Sequence, residues 1–229
     1  MAKVLFTAIV ADMRNKLNGT VFAKNRYGNY TRTKVTPVNP QTVSQQANRN
    51  ILATNAAAWR GLTEAQRQGW ISATPSFPFT DIFGQSRILA GNTLYTKLNN
   101  NLALISQPLI SDAPSPVAIP ALDSLSVTAA DGTPALSVAF GPSPIPAGFN
   151  MIIQATPNMG AGINFVKSKF RNVQVVAAAG TSPVNLLAAW SAMFGNPVAG
   201  QKIFVRAFLV SITTGQAGIP LQAYAIVAA

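Results

Sequence analysis

Histidine and cysteine are both absent from the 229 residues, and acids number only six. Without them, imidazole acid–base chemistry, Ser-His-Asp and Cys-His nucleophile systems, zinc sites and disulfides all fall away together. The lack of thiols also leaves no mark of a redox compartment. The acids are Asp12, Glu64, Asp81, Asp112, Asp123 and Asp131. A carboxylate-pair hydrolase or a magnesium site needs two or more of them to converge. Most stand beside turn formers, as in Asp131-Gly132 and Asp112-Ala113-Pro114, where aspartate serves turn chemistry. Neither an enzyme nor a cofactor is therefore expected. Charge is scarce altogether, at 10% of residues against 48% hydrophobic, where about a quarter charged is ordinary. Such a surface is either unusually rich in neutral polar groups or, as expected here, covered in large part by other subunits. No apolar run reaches the roughly 18 residues of a membrane span, so no membrane partner is expected. The opening "MAKVLFTAIVADMR" imitates a short signal peptide, but its apolar run over residues 4–11 is marginal and no convincing cleavage site follows. Alternating Val4, Phe6, Ala8 and Val10 read as a strand, and the N-terminus as retained.

What charge there is has one sign. The net charge is +11, with 12 Lys/Arg against 4 acids in residues 1–112 and 5 against 2 in the remainder. A basic balance points to nucleic acid or to an acidic protein lattice. The stretch "GNYTRTKVTPVNPQTVSQQANR", residues 28–49, contains no acid, and Lys24 and Arg26 stand just upstream. "GTVFAKN" and "NYTRTKV" flank "RYG", a hairpin signal. With the period of two, Phe22, Lys24 and Arg26 share a face of the outgoing strand, and Tyr30, Arg32 and Lys34 share a face of the returning one. If the register aligns the two sets, the hairpin shows one basic face with aromatics. The alternative is an ordinary solvated face. Phe22, Lys24, Arg26, Tyr30, Arg32 and Lys34, with Arg49 from the helix beyond, are the candidate partner-binding residues.

Pro37 and Pro40 end the strand in an extended corner, and Thr42 or Asn39 can cap the helix that follows. Val43, Ala47, Ile51, Ala58 and Trp59 give that helix an apolar stripe, interrupted at Asn55. "LTEAQRQGW" starts a second helix, with Thr63 and Gln66 as a capping box and Leu62 at the staple position. Trp59, Leu62 and Trp70 are expected to meet at the corner between helices as core. A third helix is expected over residues 86–105, with Leu94, Leu98, Leu102 and Ile105 in line. "FTDIFGQS" before it reads as a turn or a short strand.

The segment "SQPLISDAPSPVAIPALDS", residues 106–124, has four prolines and no periodicity, and reads as an extended linker. Beyond it come strand candidates: "SLSVTAA", "ALSVAF", "NMIIQATP", "FVKSKFRNVQVV", "VNLLAAW", "KIFVRAFLVSI" and "LQAYAIVA". "SPVNLLAAWSAMFG" is open to a helical centre. Turn formers separate the candidates, as expected of a β-sandwich. The fold class expected is α+β: a hairpin-and-helix docking domain over residues 1–105, a Pro-rich linker over 106–124, and a β-sandwich over 125–229. The first part offers little room for a deep core and is expected to be completed by another chain.

The motifs "GTVFAKNRYGNYTRTKVTPVNPQT", "QQANR", "AWRGLTEAQRQGW" and "DIFGQS", within residues 19–85, resemble a family of phage and prophage virion-associated proteins. The second half is similar to fibronectin type III and other immunoglobulin-like domains, frequent ornaments of phage capsids and tails. The resemblance implies a non-enzymatic structural protein, made in the host cytoplasm and located in the virion. A capsid decoration or cement protein fits best. Its partners would be the major capsid protein or neighbouring copies, in a homo-oligomer or on a lattice. A tail, collar or head–tail connector component is one alternative, a nucleic-acid-binding protein a second, and a surface adhesion module a third.

Overall fold

The computed structural model describes residues 2–3, 13–25, 28–80 and 84–229. The chain forms two compact units, Met1–Gln46 and Ala47–Ala229. The division falls inside one helix, far from the Pro-rich segment expected to carry it.

The first unit is a sheet. β1 (Ala2–Lys3), β2 (Asn15–Leu17), β3 (Thr20–Asn25) and β4 (Gly28–Thr33) pair antiparallel in the order β1-β4-β3-β2. β-Branched and aromatic residues (Thr20, Val21, Phe22, Tyr30, Thr31) suit the pleat. The expected hairpin is present, but with a strand added on either side, because two strands alone are marginal in water. The strand expected over residues 4–11 lies outside the described residues.

The second unit opens with helices. α1 (Val43–Gly61) crosses the division, and α2 (Glu64–Ala73) and α3 (Gly91–Leu104) follow. The capping box of α2 is formed: the Gln66 N–H donates to Thr63 Oγ1 at 3.3 Å, and the Thr63 N–H donates to Gln66 Oε1 at 3.0 Å. α3 starts at Gly91, later than expected, because Ser86 and Arg87 pair with Phe79 and Thr80 as β6 (Ser86–Arg87) and β5 (Phe79–Thr80). Leu62 and Trp70 meet as expected, with Trp59 packed against them, in a helical core that also holds Phe77, Leu94, Tyr95 and Leu98. The Tyr95 ring lies 5.3 Å from Trp59 and 5.2 Å edge-on from Trp70. Asn55 does not interrupt α1. It is buried, and its Nδ2 donates to Asn100 Oδ1 at 2.6 Å.

Residues 106–124 are no spacer. The Trp70 indole N–H donates to the Ser111 carbonyl at 2.8 Å, and Ile110 and Ala113 pack on the helical core. Ile119 and Leu122 pack on the core of the β-region. The prolines dictate an extended path, but apolar side chains spaced along it still demand burial.

The remaining chain forms β7 (Ser124–Ala130), β8 (Ala135–Gly141), β9 (Phe149–Ala155), β10 (Arg171–Val176), β11 (Val184–Asn185), α4 (Leu187–Phe194), β12 (Lys202–Ser211) and β13 (Leu221–Ile226). One antiparallel sheet has the order β11-β8-β7, the other β10-β9-β12-β13. They share one core: Leu136, Val138 and Phe140 from the first meet Met151, Ile153, Ile203 and Val205 from the second. The strand expected at "VNLLAAW" stops after two residues and α4 takes over, as the Leu-Ala-Ala run favours. Trp190 of α4 is buried in that core and donates its indole N–H to the Thr156 carbonyl at 2.9 Å. Of "FVKSKFRNVQVV" only β10 is strand.

The opposite face of the second sheet is covered at one end by α3. Leu102 and Ile105 join Ile152 and Val210 in a buried cluster. Asn101 Nδ2 donates to the Gly215 carbonyl at 2.8 Å. Gly215 has φ +70°, and a Cβ there would lie 2.2 Å from the Leu98 carbonyl oxygen, so the β12–β13 turn approaches α3 closely. The fold class is α+β, and no helix of the described residues is long and apolar enough to cross a membrane.

Candidate docking surface

The register of β3 and β4 decides which side chains act together. Phe22 opposes Thr31, Lys24 opposes Asn29, Ala23 opposes Tyr30 and Val21 opposes Arg32. Directly opposed residues share a face, so even-numbered positions of β3 lie with odd-numbered positions of β4. The expected single basic face is therefore split. Phe22 and Lys24 lie on one side, and Tyr30 and Arg32 on the other.

The second side gains residues that sequence periodicity does not assign to it. Lys16 of β2 opposes Val21 and so joins Arg32. The Lys34 N–H donates to the Gly19 carbonyl at 2.8 Å, extending the ladder and carrying Lys34 to the same side. Lys16, Arg32 and Lys34 are exposed and frame half-buried Val21, Ala23 and Tyr30. On the first side Lys24 and Leu17 are exposed and Phe22 is half-buried. Arg26 lies outside the described residues. Arg49 is exposed on α1 and belongs to the second unit, whereas the sheet belongs to the first.

No described side chain between residues 13 and 46 is buried. Leu17 is 67% exposed, and Val35 and Val38 beyond β4 are 74% and 89% exposed. A sheet of four strands stabilises itself by burying one face, and among the described residues the side chains of this one are at most half-buried.

Of the four described carboxylates, Glu64, Asp112 and Asp131 are engaged within the fold. Asp112 accepts from Gln66 Nε2 at 3.1 Å, and Asp131 Oδ2 accepts from the Ala199 N–H at 3.0 Å. Glu64 accepts from Gln68 Nε2 at 2.8 Å and sits 3.6 Å from the Arg67 guanidinium. Among the described residues two groups have shifted pKa values. Burial pushes the Tyr95 hydroxyl above its ordinary value, and burial lowers that of the Arg206 guanidinium. Among the described residues no group of three His, Cys, Asp or Glu side chains is placed to hold a metal ion.

No family model, no curated protein and no solved structure matches this chain.

Proposed function

We propose that the chain is a non-enzymatic structural protein of a phage virion, a capsid decoration or cement protein that docks through its basic N-terminal sheet. The observation that carries this reading is the sheet of the first unit. It presents Lys16, Arg32 and Lys34 around Val21 and Tyr30, and buries no described side chain. Completion by an acidic neighbouring subunit of the capsid lattice would remove that apolar surface from water at about 25 cal/mol per Å². It would also pair the cations where ion pairs are partly desolvated and worth more than in open solvent.

In this proposal the β-region of the second unit is a fibronectin-III/immunoglobulin-like sandwich. Three strands in the order β11-β8-β7 face four in the order β10-β9-β12-β13 across one core. All pairings within these sheets are antiparallel, and the chain switches between sheets after β8, β10 and α4, as such sandwiches do.

Hydrogen exchange by mass spectrometry, on the full chain alone and on purified particles, tests the docking role. Backbone amides of β3 and β4 should exchange quickly in the free protein and become strongly protected in the particle. Slow exchange of those amides in the dilute free chain, unchanged on particles, would sink the reading. So would absence of the chain from purified particles.

A further inference from the structure

We propose that the β-region carries a binding site for single-stranded nucleic acid on the face of the β10-β9-β12-β13 sheet that bears the loop between β9 and β10. This inference concerns the second unit alone and does not depend on the docking role of the first.

Ile203, Val205, Ala207 and Leu209 of β12 point into the shared core, so Lys202, Phe204 and Arg206 point the other way. One end of that outer face is taken by α3. At the other end the loop of residues 156–170 folds across it. Met159 bridges to Lys202, and Val166 and Phe170 pack around Phe204.

Four of the five cations of residues 113–229 belong to this face and its loop: Lys167, Lys169, Lys202 and Arg206. The two acids of the same stretch, Asp123 and Asp131, flank β7 in the other sheet. Two of these cations, Lys202 and Arg206, are held in place by neutral side-chain oxygens, which fix them without cancelling their charge. Lys202 Nζ donates to Asn164 Oδ1 at 3.0 Å. Arg206 Nε donates to Gln154 Oε1 at 2.9 Å. Lys167 and Lys169 are exposed on the loop.

Aromatic rings are interleaved with these charges. Tyr224 is 57% exposed, with Lys202 Nζ 5.4 Å from its ring centroid and the Phe204 ring 5.5 Å away, tilted by 38°. The Arg206 guanidinium lies 4.6 Å over the Phe170 ring. Phe165 is 82% exposed although its chain neighbours, Asn164 and Val166, are both anchored to the sheet. A ring held out into water by a fixed backbone is a surface awaiting a planar partner.

The ligand follows from the two features together. Clustered cations with no local acid attract a polyanion. Exposed rings among them favour one whose flat apolar groups are accessible, which single strands offer and a duplex hides. A second copy of this chain is a poor occupant, because its six acids are scattered along the sequence.

The test is fluorescence anisotropy of a labelled oligothymidylate of about 15 nucleotides titrated with the full chain across a range of salt. To silence the first unit, the protein carries Lys16→Gln, Arg32→Gln and Lys34→Gln. Binding should persist in that background. Adding Lys167→Gln and Lys169→Gln should lower the slope of log affinity against log salt by about 1.4, roughly 0.7 for each phosphate no longer neutralised. Adding Phe165→Ala alone should weaken binding at least about fivefold, as loss of one base stack does, without changing that slope. All three positions are exposed, and an unchanged melting temperature confirms folding. Three results would each overturn the proposal: no binding in the silenced background, equal binding of duplex or of polyglutamate, or indifference to Phe165→Ala.

Discussion

Single side chains do much of the joining in the second unit. Buried Asn99 donates through Nδ2 to the Tyr95 and Ile110 carbonyls at 3.1 and 3.3 Å, and its Oδ1 accepts from the Ile110 N–H at 2.9 Å. One amide thus satisfies both backbone groups of a residue in the Pro-rich segment. Asn99→Ala leaves them unpaired and should cost about 2–4 kcal/mol, measured by urea unfolding; a loss below about 1 kcal/mol would mean that water replaces the amide. Tyr95 supplies a pH signature. Burial raises its pKa above the ordinary 10.0, so the unfolded chain releases this proton first and folding holds it. The contribution is therefore intact below about pH 10 and is lost as pH rises through the folded value. Thermal melts from pH 9 to 11.5 should fall less steeply in Tyr95→Phe than in the parent, and equal slopes would exclude the effect. At this scale the sequence is partly readable. The Thr63–Gln66 capping box declares itself in four letters. Asn55 looks like a flaw in an apolar stripe because its partner, Asn100, lies 45 residues away, and no local pattern carries that distance.

Elements are legible where periodicity is local and obscure where another element decides them. The hairpin of β3 and β4 is evident in the sequence, but its register is not. Closing the turn with Asn25 opposite Gly28 sets Lys24 against Asn29, and shifting by one would have united the expected basic face. The pairing of β2 with β3 does have a local signal: Asn18-Gly19, with Asn18 at φ +49°, is a strong two-residue hairpin turn. The aromatic and basic face of the second sheet is hidden because its residues come from two strands and a loop that are far apart in sequence. The seat of the β12–β13 turn on α3 is equally long-range. At Gly215 any Cβ collides with the Leu98 carbonyl and the backbone is left-handed. Gly215→Ala should therefore cost about 2–4 kcal/mol, adding a left-handed backbone penalty to overpacking. A crystal structure or chemical shifts of that variant should show the turn displaced from α3, and an unshifted, fully stable variant would show that the approach is loosely held.

At the scale of the whole molecule the Pro-rich segment misleads most. Composition marks it as a boundary, yet its apolar residues stitch helices and sheets into one unit. Residues 113–229 alone would leave Ile152 and Val210 without Leu102 and Ile105 of α3 above them. That fragment should melt lower than the full chain and self-associate in sedimentation runs. A monomeric fragment with the parent's melting temperature would show that α3 is dispensable to the sheets. The bond from Asn101 to Gly215 spans 114 residues, and this separation bears on how the protein is made. α3 leaves the ribosome long before the turn that receives it, and at about 5–20 residues per second the delay is several seconds. Through that interval Leu102 and Ile105 have no sheet to rest on. The nascent chain must carry an uncovered helix end until its C-terminal third arrives, which is the window in which a chaperone, or a crowded neighbour, would meet it first.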